Sequence, residues 1–255
     1  MGFVGGPLAY WFLKRYWPGG QNVPMSNGDP YAERGVSKLK TLFGDDIFDQ
    51  LRGKVILDFG CGDGSNAIEL AQNGCTRVIG LDIREHILEK ARRTAESAGV
   101  SDRCIFTSQW SEPVDVILTT DAFEHFAEPA KMLALMGALL KPDGYLLVEF
   151  GYPWYHPLGG HTFSVFPWAH FVFTESALMR WWSDFKTDGA TRFHEIDGGL
   201  NKMTVRRWER VVAESGFKFK TYDLVPIRPV RRLHCYLTRE FFTSIVRARL
   251  IPAER

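Results

Sequence analysis

Between residues 54 and 151 the chain alternates between two hydrophobic patterns. Five short runs are apolar almost throughout: KVILDFG (54–60), RVIGLDI (77–83), RCIFTSQ (103–109), VDVILTTDAF (114–123) and YLLVEFG (145–151). Each reads as a buried strand. Residues 65–73, 84–99 and 128–140 read as helices, the second amphipathic and stopped by Gly99. KPDG (141–144) reads as a turn. Apolar strands alternating with helices predict a parallel sheet covered on both faces. Such a sheet binds ligands at the carboxyl ends of its strands.

Outside this stretch the rhythm changes. Residues 1–50 read as short helices and loops, punctuated by Gly19, Gly20, Pro24, Gly28 and Pro30, and are expected to form part of a lid. Residues 51–255 read as one domain with an insertion at about 151–200. Twelve aromatic residues lie between 151 and 194, against 14% for the whole chain, so the insertion must pack on something. It reads as an aromatic cap, part lid and part extra core. Thr204 caps a helix, residues 217–225 form a late strand, and a helix is expected near 239–250. The partner of the late strand is expected at 231–237, a poor match.

Composition narrows the picture. A length of 255 residues with 45% hydrophobic content supports a real core. The formal charge of +1 gives no argument for nucleic acid, and none is expected as a partner. Cys61, Cys75, Cys104 and Cys235 are widely spaced, which suggests neither disulfides nor a cysteine metal site and fits a cytoplasmic location. The apolar N-terminal run ends at Lys14, too short to span a bilayer. That segment offers a homodimer contact or part of the lid. Gly6 stands where a myristoylation signal needs Ser or Thr. From Arg228 onward, seven arginines stand against two acids, and a solvated helix face accounts for them.

The chemistry starts at Gly60, Gly62 and Gly64, between the first strand and first helix. A dinucleotide turn has its third glycine where Ser65 stands, and a pyrophosphate would be repelled by Asp58 just before the loop. A cofactor with a cationic amino-acid end would tolerate that carboxylate. DFGCGDG, with Asp82 closing the second strand, resembles the cofactor loop of class I S-adenosylmethionine-dependent methyltransferases. TTDAFEHFAEPAKMLALMGALLKPDGYLLVEF is similar to the small-molecule branch, with its acid-His pair after strand four and Lys-Pro-x-Gly turn. The resemblance implies a doubly wound, mostly parallel α/β sheet of the seven-stranded Rossmann-like type, with the cap after strand five. It implies S-adenosylmethionine as cofactor. Asp58, Gly60, Gly62, Gly64, Asp82, Ile83 and Asp121 are the expected cofactor residues, with Asp82 on the ribose hydroxyls and Ile83 against adenine. The family often has Asp after strand three; here Gln109 or Trp110 stands in for it. An antiparallel hairpin is expected to end the sheet.

Methyl transfer needs alignment, and a hydroxyl or ammonium acceptor also needs a base. His161, after the Gly159-Gly160 pair, is favoured as base, with His125 and His156 as alternatives. Asp121, Glu124 and the histidines show no metal-ligand spacing, so no metal is expected. The expected function is methylation of a small molecule, apolar or aromatic in view of the cap. The alternatives are a regulatory or scaffold protein that binds the cofactor without transfer, a fold-mate that uses the cofactor for another transfer, and a dinucleotide oxidoreductase.

Overall fold

The computed structural model describes residues 2–18, 35–186, 189–196 and 199–253. Three helices lead in: α1 (Gly6–Tyr16), α2 (Lys38–Phe43) and α3 (Ile47–Leu51). The alternating region follows as β1 (Val55–Phe59), α4 (Ser65–Gln72), β2 (Arg77–Leu81), α5 (Glu85–Ser97), β3 (Cys104–Thr107), β4 (Val114–Thr120), α6 (Pro129–Ala138) and β5 (Leu140–Gly151). The cap holds α7 (Ala169–Val172) and α8 (Glu175–Trp182). The chain ends with α9 (Val205–Ala213), β6 (Phe217–Pro226), α10 (Arg239–Phe242) and β7 (Thr243–Pro252). Residues 19–34 of the expected lid and 187–188 and 197–198 of the cap lie outside the described residues.

The strands form one seven-stranded sheet in the order β3-β2-β1-β4-β5-β7-β6. The first five are parallel, and β7 runs antiparallel between β5 and β6. This is the expected doubly wound sheet with its closing hairpin. The apolar runs follow from the two covered faces. Ile56, Val78, Val116 and Leu147 pack under α3, α4 and α5, while Leu57, Ile79, Ile117 and Leu146 pack under α6 and α9. Consecutive strand residues point to opposite faces, so a strand buried on both sides has no polar alternation to show.

Two expectations at the sheet's far edge are corrected. Residues 243–252 form a strand, not a helix, and they rather than 231–237 pair with β6. Arg228–Leu233 is a short helical turn. TSIVRARL has a period of two: Val246, Ala248 and Leu250 enter the α9 side of the core, and Arg247 and Arg249 face the other side. There Arg247 bonds Asp223 at 2.8 Å and the Leu42 carbonyl at 2.6 Å, and the Arg249 guanidinium lies 3.7 Å from the Tyr145 ring centre. These arginines belong to the sheet, not to a solvated helix. KPDG is also not a plain turn. It bulges within β5, where the register jumps from Val114↔Leu140 to Val116↔Tyr145, and Lys141 is tied to Asp115 at 2.8 Å.

The cap has a core of its own. Trp154, Phe163, Phe173, Leu178 and Trp181 are buried together with Ala9 and Leu13 of α1. The N–H groups of Phe3 and Val4 donate to the Val172 carbonyl, and Trp181 Nε1 donates to Trp17 O at 2.9 Å. The N-terminal helix and the cap are therefore one packed layer.

Candidate cofactor and acceptor site

The site is built on the carboxyl ends of β1, β2 and β4. After β1 the backbone turns through Gly60, Gly62 and Gly64. The N–H groups of Gly60 and Cys61 both reach the Leu81 carbonyl, at 2.8 and 3.0 Å, which ties the turn to the end of β2. Gly64 has φ +81°, and a Cβ there would lie 2.6 Å from Phe106 and 2.9 Å from Ala91, so packing requires glycine. Gly62 has φ +53°, and a Cβ there would meet nothing within 4 Å. Its surroundings are open, as the floor of a ligand cradle must be.

Two acids flank the turn in different states. Asp58 is buried, and its Oδ2 has no hydrogen-bond partner. Burial pushes its carboxyl up to about 7, with Lys38 pulling it down and Asp82 pushing it further up. Burial also raises Asp82, but hydrogen bonds from Arg84 and Gly62 outweigh it and hold the carboxyl below its usual range. Gly62 N–H donates to Asp82 Oδ2 at 3.0 Å. Next to Asp82, Ile83 is 90% exposed. It is not core packing; it offers bare apolar surface beside the acid.

The stretch after β3 divides. Gln109 is exposed near the strand's carboxyl end, its N–H bonded to Thr107 Oγ1 at 3.2 Å. Trp110 packs instead along the sheet face, its ring 5.2 Å from the guanidinium of Arg77, the first residue of β2. Its Nε1 is taken by the Glu112 carbonyl at 2.8 Å. Asp82 follows the last residue of β2, so Trp110 occupies a packing position rather than the expected stacking one.

On the β4 side, Asp121 (φ +48°) accepts from Lys38 Nζ at 2.6 Å. The following turn, Phe123–His125, is braced by Asn201. Asn201 N–H donates to Glu124 O at 2.9 Å, and its Nδ2 donates to the carbonyls of Phe123 (2.9 Å) and Phe126 (2.8 Å). Glu124 is buried with Oε2 unpartnered, and burial, then Asp121, hold its carboxyl well above the usual range. Glu149 of β5 is also buried and pushed up to about 8 by burial and Asp121.

The candidate histidines separate as well. His125 and His161 meet edge-on, ring centres 5.5 Å apart. His161 lines a tight crevice, too narrow for a water molecule, with Glu124, Tyr152, Trp154, Leu200 and Lys202, and its Nε2 has no partner. Burial, then His125, lowers its pKa to about 3. His156 is buried, stacked 4.2 Å from Tyr152, and its Nδ1 accepts from Leu158 N–H at 2.9 Å. It serves the loop rather than the crevice. Glu124, His125 and His161 bring one ligand atom each within 4.8 Å of one another. No sequence spacing announces that cluster, because its members come from two segments.

Sequence reasoning missed Lys38, Arg84, Glu149 and Asn201. Glu149 carries a signal, a charge inside the apolar run YLLVEFG. Arg84 carries a weak one in its position beside Asp82. Lys38 and Asn201 carry none, since only the fold brings them to the strand ends.

Known proteins resemble this chain in sequence and in fold. A family model described as a methyltransferase domain matches residues 31–222. The ribosomal protein L11 methyltransferase of Photobacterium profundum is 35% identical over 54% of this chain and 51% of its own length. The ubiquinone biosynthesis O-methyltransferase of Neisseria meningitidis serogroup C is 38% identical over 37% of this chain and 42% of its own. The chain thus spans about half or less of the curated relatives it matches. An S-adenosylmethionine-dependent methyltransferase structure from Mesorhizobium loti shares the fold, with a TM-score of 0.51, 15% identity and coverage of 78% of this chain and 91% of that one.

Proposed function

This chain belongs to the methyltransferase-domain family, and we propose that it transfers the methyl group of S-adenosylmethionine to a small, apolar or aromatic acceptor. The observation that carries the reading is the buried Oδ2 of Asp58, left without a partner at the strand ends that also hold the glycine turn and Asp82. A buried carboxylate oxygen with no donor supports a cationic ligand group. The ammonium of the cofactor's methionine end has that chemistry. The open surroundings of Gly62 would admit the ligand, Asp82 would accept its ribose hydroxyls, and the exposed Ile83 would cover its adenine, with Gln109 at hand for the adenine amine.

When bound, the cofactor supplies a methyl group on a sulfonium, with a good leaving group already installed. The chain's own task is alignment and proton removal. His161, with Nε2 unpartnered and His125 beside it, is assigned as the group that takes the acceptor's proton; the burial that keeps it neutral also makes it a weak base, so the acceptor or cofactor charge must stabilise its protonated form. Tyr152, Trp154, Leu200 and Met203 line the tight crevice at His161, and their apolar character supports an apolar or ring-bearing acceptor, for which the crevice must open. The O-methyltransferase relative supports an oxygen as the methylated atom, while the ribosomal-protein relative marks how widely acceptors differ within the family.

Calorimetric titration of S-adenosylhomocysteine, with NAD as control, tests the reading. The wild type is expected to bind one equivalent. Asp82→Ala should weaken binding about 100-fold or more, since two charge-assisted hydrogen bonds are lost. No binding, or binding of NAD instead, overturns it. A labelled-methyl screen over apolar and aromatic acceptors then identifies the substrate.

A further inference from the structure

Three donor groups meet where the turn after β4 faces the cap. Glu124 and His125 sit in the turn Phe123–His125, and His161 opens the cap turn His161–Phe163. One oxygen of Glu124 and one ring nitrogen of each histidine lie within 4.8 Å of one another.

Each donor is prepared by its surroundings. Glu124 is 3% exposed, and its Oε2 has no hydrogen-bond partner. The Nε2 of His161 is also buried without one. Buried polar atoms left unpaired are costly and call for an explanation. His125 Nδ1 lies 3.1 Å from the Gly199 carbonyl, which can only accept. Nδ1 therefore carries a proton, and Nε2 lies 3.9 Å from Glu124 Oε1. An imidazole that donates from one nitrogen to a carbonyl and points the other at a shared centre is how metal-binding histidines are held. Asn201 braces the turn that carries two of the three donors.

We propose that Glu124, His125 and His161 form a binding site for a first-row divalent transition-metal ion of the zinc class. Two imidazoles and one carboxylate suit zinc, iron(II), cobalt(II) or nickel(II), whereas magnesium and calcium prefer an all-oxygen shell. Three protein donors leave at least one position open, and Tyr152, Trp154 and Lys202 line the crevice that holds Glu124 and His161. Metal–ligand bonds of about 2.0–2.1 Å place donors roughly 3.3 Å apart. The three groups must therefore draw in by up to about 1.5 Å, through side-chain rotation. A cation there would lower the proton affinity of an acceptor oxygen bound to it and take over the work assigned to a histidine base. That consequence rests on the methyl-transfer reading; the ion site does not.

The test uses the tag-free full chain, stripped with a chelator and titrated with Zn²⁺, Co²⁺ and, for contrast, Mg²⁺. One equivalent of Zn²⁺ or Co²⁺ is expected to bind, at least 100-fold tighter than Mg²⁺, with visible absorption bands of a low-coordinate cobalt centre. Glu124→Gln and His161→Gln should each weaken Zn²⁺ binding by about 100-fold or more and abolish the bands. Their melting temperatures and S-adenosylhomocysteine affinities should match the wild type, which separates loss of the site from loss of the fold or of the cofactor reading. Should His161→Gln fail to fold, the isosteric Glu124→Gln decides alone. A wild type that binds no ion, or a stoichiometric site that survives in the folded variants, overturns the proposal.

Discussion

Arg84 grips both carboxylate oxygens of Asp82, Nε on Oδ1 and Nη2 on Oδ2, each at 3.0 Å. The guanidinium thus holds the acid assigned to the ribose hydroxyls. Ribose binding must displace at least one of those bonds. The Arg84 side chain is 36% exposed, so the pair contributes only about 0–1 kcal/mol. Arg84→Ala should therefore tighten S-adenosylhomocysteine binding by up to about fivefold and lower stability by no more than about 1 kcal/mol. Calorimetry and thermal melting check both. Weaker binding in the variant would mean that Arg84 belongs to the bound state instead.

Gly62 and Gly64 should respond differently to alanine. At Gly64 a methyl group collides with Phe106 and Ala91 in a left-handed conformation, so Gly64→Ala should lose about 2–5 kcal/mol. At Gly62 the methyl group meets no protein atom. Gly62→Ala should lose only about 1–2 kcal/mol of stability yet weaken cofactor binding at least tenfold, because the methyl group fills the ligand's space. Denaturant melts paired with ligand titrations separate the two. Equal loss of affinity and stability at Gly62 would count against the cradle.

Asp58 ties stability to pH. Its folded pKa of about 7 lies above the ordinary 3.8, so the native chain holds a proton that the unfolded chain releases. The associated stability is complete below pH 4 and is lost as pH rises through 7, with an upper bound of about 4 kcal/mol. Glu149, pushed up to about 8, adds a loss of the same sign. Asp58→Asn should flatten the fall in melting temperature between pH 5 and 8. Affinity for the cationic ligand should rise over that range in the wild type and stay level in the variant. A variant whose melting temperature falls as steeply as the wild type's would refute the assignment.

Glu240 anchors α9 from a distant segment. Its carboxylate accepts the N–H groups of Val205 at 3.0 Å and Arg206 at 2.9 Å, at the helix end that favours negative charge. Glu240→Ala should lower the unfolding free energy by about 2–3 kcal/mol, with Glu240→Gln intermediate. Chemical denaturation measures this, and a change below 0.5 kcal/mol would show that water replaces the carboxylate.

Most of the α/β frame was legible in the sequence. The strands at 54–60, 77–83, 103–109 and 114–123 and the helices between them match the structure apart from residues at their ends, because burial on both faces leaves an unbroken apolar signature. The C-terminal edge was misread. REFFTSIVRARL mixes a short helical turn with a strand whose alternating arginines look helical when no partner is in view. Pairing with β5 and β6 decides it, and pairing is non-local.

The sequence by itself determined the glycine turn, the acids at the ends of β1 and β2, and the aromatic insertion. All of these rest on short-range rules of backbone freedom and hydrophobic period. Tertiary structure alone decided which histidine reaches the crevice, that Trp110 packs along the sheet, and that Arg84 occupies Asp82. It also brought Lys38 among the buried acids and joined His161 to Glu124 and His125. Those outcomes depend on burial and on contacts between segments far apart in the chain. Such contacts form only when the sheet brings their segments together, so no local pattern encodes them.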